Sequence, residues 1–77
     1  MIDSEQLTAF GRLIRSARLQ RDLTLKDASE AMGIQNLRRL AAYELGERIP
    51  GRHRGMAMAK FYGIPIQEFF DKMEESN

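Results

Sequence analysis

The sequence predicts an all-α fold, a compact bundle of five short helices. Apolar residues recur at spacings of three and four, no segment alternates with period two for long enough to make a strand, and the punctuation is nearly all glycine: Gly33, Gly46, Gly51, Gly55 and Gly63. In the first segment Leu7, Phe10, Ile14 and Ala17 form one apolar stripe, which predicts a helix over 4–20 capped by Asp3 or Ser4. The second helix, over 25–32, opens on Thr24. Its hydroxyl is placed to accept from the Asp27 amide while the Asp27 carboxylate reaches back, a capping box, and Gly33 follows as the left-handed terminator. Asn36 caps a third helix with an apolar face of Leu40 and Tyr43, Leu37 standing three residues earlier, and the helix stops at 45, before Gly46. A loop runs through Pro50 to a fourth helix over 52–62, apolar at Met58, Ala59 and Tyr62, in which Gly55 costs about 1 kcal/mol relative to alanine. The fifth covers 66–73, with Ile66, Phe69, Phe70 and Met73 on one side.

With 77 residues the chain is expected to be one domain, its core over 4–73 and a short acidic tail over 74–77, since two halves would each lack the apolar surface to fold. There is no cysteine, which removes disulfides and thiolate metal sites and leaves helix packing or a partner to stabilise so small a chain. No apolar run is long enough to span a bilayer, and the start Met-Ile-Asp-Ser-Glu lacks the order of a secretion signal. A cytoplasmic location is the expectation. The formal charge of +1 hides a pattern: residues 1–9 sum to −2, residues 10–54 to +5 and residues 55–77 to −2. A basic middle between acidic ends suits a domain with one surface against a polyanion; solvated faces on charged helices would give the same sums.

Helices two and three are joined by a few residues around Gly33, and the second of the pair begins Asn36-Leu37-Arg38-Arg39. That is helix-turn-helix geometry, in which base-reading side chains cluster in the first turns of the second helix. Arginine suits the position because its planar fork donates two hydrogen bonds to O6 and N7 of guanine. The order Phe10-Gly11, Ile14, Ala17-Arg18, Leu23-Thr24, Ala28, Met32-Gly33-Ile34, Leu40, Tyr43-Glu44, Gly46, Pro50, Met58-Ala59, Gly63-Ile64 and Phe69-Phe70 resembles the phage-repressor and Cro-like helix-turn-helix DNA-binding domains across residues 10–70. The resemblance implies a structural ion pair between Arg18 and Glu44, tying the recognition helix to the first helix. The chain departs from that family at four places. It has one more residue between Gly33 and Glu44, assigned to the turn near Gln35; Leu25 replaces a phosphate-touching glutamine; Gly55 replaces an apolar residue; and Pro65 replaces a capping serine or aspartate.

Base contact is accordingly expected from Arg38 and Arg39, with Asn36, Leu37 and Ala42 secondary, the two apolar ones limited to contact such as a thymine methyl. Phosphate contact is expected from Lys26, Arg48, Arg52, His53 and Arg54, and from the backbone amides at Thr24 and Leu25 where the second helix begins. Arg12, Arg15 and Arg21 drift around the first helix and read as solvated. His53 has no second imidazole or cysteine beside it, and Glu68, Asp71, Glu74 and Glu75 have no nucleophile, so neither metal binding nor catalysis is expected, and no cofactor. Phe61, Ile66, Phe69, Phe70 and Met73 form the candidate homodimer patch, with burial inside one protomer as the competing account. The resulting expectation is a sequence-specific double-stranded DNA-binding regulator, a dimeric phage or prokaryotic repressor on a palindromic operator. The alternative is an antitoxin-like or adaptor module that turns the same surface to a protein partner.

Overall fold

The computed structural model describes residues 8–75, and among them every regular element is an α-helix: α1 Ala9–Gln20, α2 Leu25–Ala31, α3 Leu37–Leu45, α4 Arg52–Tyr62 and α5 Ile66–Glu75. α1 starts later than the apolar spacing predicts. Thr8 holds an extended backbone and its Oγ1 accepts from the Gly11 amide at 2.9 Å, so the cap is Thr8, and the expected caps Asp3 and Ser4 lie outside the described residues. The spacing of Leu7 to Phe10 carried the predicted stripe past a local cap.

The other boundaries follow their punctuation. Thr24 and Asp27 form the capping box, with Asp27 N to Thr24 Oγ1 at 3.0 Å and Thr24 N to Asp27 Oδ2 at 3.5 Å. α2 stops at Ala31, one residue short of expectation, and Gly33 at φ +74° turns the chain toward α3. This is a region that side chains with a Cβ rarely enter. Asn36 Oδ1 accepts from the Arg38 amide at 2.9 Å and caps α3. α5 runs two residues past the predicted end, since Glu74 and Glu75 are good helix formers and Lys72 pairs with Glu75 at 3.3 Å.

The core is made where the stripes converge. Phe10, Ile14, Ala28, Leu40, Met58, Ala59 and Phe69 are wholly buried, and Phe10 meets Phe69 edge to face with centroids 5.1 Å apart, joining α1 to α5. α3 packs on both α1 and α2. Two glycines set how near the helices come. A Cβ on Gly11 would collide with the backbone carbonyl of Glu44, so α1 can touch the end of α3 only with glycine there. A Cβ on Gly55 would sit 3.3 Å from Phe70 Cε1 and 3.5 Å from Phe69 Cε2; the apolar residue missing from α4 is replaced by rings supplied from α5.

Candidate nucleic-acid interface

The candidate surface begins with what fixes α3. Leu40 and Tyr43 are buried, which turns one side of the helix into the core, and Ile34 is buried in the turn before it. Glu44, 4% exposed, accepts from Arg18 twice, Nε to Oε2 at 2.8 Å and Nη2 to Oε1 at 3.0 Å, while Arg18 Nη1 donates to the Leu23 carbonyl at 2.8 Å. The guanidinium thus ties the end of α3, α1 and the loop before α2 into one unit, and its hydrogen bonding to Glu44 raises its pKa further above the usual value despite burial.

With that side committed, the remaining side of α3 faces water. Arg38 and Arg39 are exposed, Leu37 is 40% exposed, and Ala42 is half-buried. Two adjoining depressions flank the helix start. One is lined by Asn36, Arg38, Arg39, Ala42 and Arg48; the other by Gly33, Gln35, Asn36, Arg39 and Arg54. Asn36 and Arg39 form the ridge between them. Four arginines therefore gather from α3, the following loop and α4, and no carboxylate lines either depression. Like charges brought together without a counter-charge repel one another, and an anion that fills the hollows removes that cost. Gln35, expected only as the additional residue of the turn, lines the second depression; its signal is a polar amide inside the turn itself, between Gly33 and the Asn36 cap.

The remaining candidates fall elsewhere. Arg52 lines a different hollow, between α4 and α5, with Met56, Phe70 and Glu74, and does not join Arg54: two residues apart on one helix, they point to different sides. His53 and Lys26 are exposed outside both arginine-lined depressions. At the start of α2 the Thr24 amide is taken by the Asp27 carboxylate, an anion of the protein's own, so Thr24 is not an open donor. Of the apolar patch, Phe69 is fully buried and Met73 is 8% exposed, so both belong to the core of the protomer. Ile66 is 39% exposed, and Phe70 and Phe61 are half-buried, the last beneath the Arg21 guanidinium at 5.6 Å.

Among the described residues no group of three or more His, Cys, Asp or Glu is placed to hold a metal ion. None of the described helices is long and apolar enough to cross a membrane.

Residues 14–69 match the family model described as helix-turn-helix. The chain is also similar to the cryptic phage CTXphi transcriptional repressor RstR of Vibrio cholerae, 35% identical over 65 residues that make up 84% of this chain and 58% of the relative. The chain therefore spans less than two thirds of the length of that curated relative. No solved structure matches it.

Proposed function

The chain belongs to the helix-turn-helix family, and from that premise we propose that it is a DNA-binding transcriptional regulator, a repressor that recognises its operator by sequence. The observation that carries this is the set of four arginines around the exposed start of α3 with no carboxylate among them. In this account the start of α3, led by Arg39, enters the major groove. Arg38 and Arg39 present their forks to guanine O6 and N7, and Leu37 and Ala42 lie against thymine methyls. Arg48 and Arg54, one lining each depression, neutralise phosphates, with Lys26, His53 and the backbone amide of Leu25 adding weaker contacts. Similarity to a phage repressor supports the repressing role.

A single module of this size reads few base pairs, so the proposal includes a homodimer on a palindrome with half-sites about 34 Å apart. Ile66, Phe70 and Phe61 are the apolar side chains still available for its contact. The site of action is the cytoplasm, where such operators are.

Titration of labelled operator and random duplexes at two salt concentrations tests the proposal. Arg38→Ala is expected to cost about 1–3 kcal/mol on the operator and to narrow its advantage over random DNA. Arg48→Ala should weaken every duplex alike and lower the salt slope by about one, and Arg52→Ala should change little. Equal affinity of the wild type for all duplexes would refute sequence recognition, and salt-independent failure to bind would point to a protein partner instead.

A further inference from the structure

Two carboxamides stand at the start of α3, and they are not equivalent. Adenine is recognised by a carboxamide that uses both ends at once, its oxygen accepting from N6 and its nitrogen donating to N7. Asn36 is already committed: its Oδ1 accepts from the Arg38 amide at 2.9 Å, which holds the first turn of α3 in place and turns the carboxamide back toward the helix it caps. Swinging that side chain onto a base would uncap the helix that carries the arginines. Gln35 has no such commitment. It is exposed, makes no hydrogen bond among the described residues, and lines the same depression as Arg39 and Arg54. Gly33, across that depression, presents no side chain, and even an added Cβ there would meet nothing within 4 Å, so a base edge has a clear approach.

We propose that Gln35, in the turn and ahead of the helix, is the adenine-reading residue, and that Asn36 positions α3 without reading sequence. This rests on the proposal that the surface binds DNA. It assigns to the additional residue between Gly33 and Glu44 a specificity role, with Gln35 reading the base pair next to the one taken by Arg39.

The test is selection of bound duplexes from a randomised pool by the whole protein, repeated with Gln35→Ala, Gln35→Glu and Asn36→Ser. Gln35→Ala should flatten one adenine position, losing about 5- to 150-fold of discrimination there, while random-duplex affinity stays within about twofold. Gln35→Glu should change the preferred base at that position from adenine to cytosine, because a carboxylate only accepts and cytosine N4 donates. Asn36→Ser keeps a cap and should select the wild-type sequence. Identical selections by the wild type and Gln35→Ala, or a position flattened by Asn36→Ser and untouched by Gln35→Ala, overturn the assignment while leaving DNA recognition in place. A wild type that selects nothing overturns both.

Discussion

Replacing Arg18 with methionine should bring this protein close to its unfolding threshold. The guanidinium donates three hydrogen bonds, two to Glu44 and one to the Leu23 carbonyl, and its removal leaves a carboxylate that is 4% exposed with no counter-charge and a carbonyl with no donor. Breaking one side of a buried pair costs about 3–5 kcal/mol. At roughly 0.05–0.15 kcal/mol per residue, a chain of 77 residues has about 4–12 kcal/mol in total. Equilibrium urea unfolding followed by far-ultraviolet circular dichroism reads the loss. With a slope of about 1 kcal/mol per molar urea, the midpoint should fall by about 3 M or more. The same experiment on Arg18→Met with Glu44→Leu separates charge from packing, because apolar residues of similar volume remove the orphaned carboxylate and leave only the Leu23 carbonyl without its donor, and the double variant should recover most of the lost stability. A single-variant shift below about 1 M would refute the reasoning, since that is the scale of an exposed pair. A double variant as unstable as the single one would show that shape, and not the orphaned carboxylate, was the cause.

Tyr62 gives a second prediction. It is 5% exposed and its hydroxyl has no partner among the described residues, so Tyr62→Phe should raise stability by about 1 kcal/mol in the same urea assay. Burial first, and the Glu44 charge second, push the Tyr62 phenol from 10.0 up to about 12. The folded state then holds this proton where the unfolded chain releases it, so stability falls between pH 10 and about 12 and is unaffected by this group at lower pH. The gap between wild type and Tyr62→Phe should widen over that window by roughly 1.4 kcal/mol per pH unit; a constant gap would contradict the burial of the phenol. Gly11→Ala should cost about 2 kcal/mol although alanine is the better helix former by about 1, because the new methyl meets the Glu44 carbonyl, and a thermal midpoint equal to the wild type would show that α1 and α3 stand farther apart.

The helix ends were legible wherever one residue makes them. Thr24 with Asp27, Asn36, Gly46 and Gly63 act through contacts no more than a turn away, and α2, α3 and α4 begin and end at them within a residue. What was not legible depends on partners far along the chain. The apolar side of α5 gave no means of dividing Phe69 and Met73, which enter the core, from Ile66, which does not. Gly55 read as a weak place in α4 because the rings that need its space come from a different helix. At the interface, Arg52, His53 and Arg54 looked like one basic cluster, yet the turn of α4 sends Arg52 to the α5 side and Arg54 to the depression beside Arg39. Asn36 was legible both as cap and as candidate base reader, and the hydrogen bond from the Arg38 amide identifies the cap.

The glycine contact between α1 and Glu44 makes α3 a lever with its pivot at one end. Arg38 lies six residues from Glu44, about 9 Å along the axis at 1.5 Å per residue. A tilt of about 5° at the pivot therefore swings the tip by roughly 0.8 Å, enough to spoil a paired hydrogen bond whose useful range spans about half an ångström. If α3 reads DNA as proposed, the fidelity of the tip is set by the fit at the fulcrum, and a methyl group added there would blunt discrimination among nucleotides without coming near any of them.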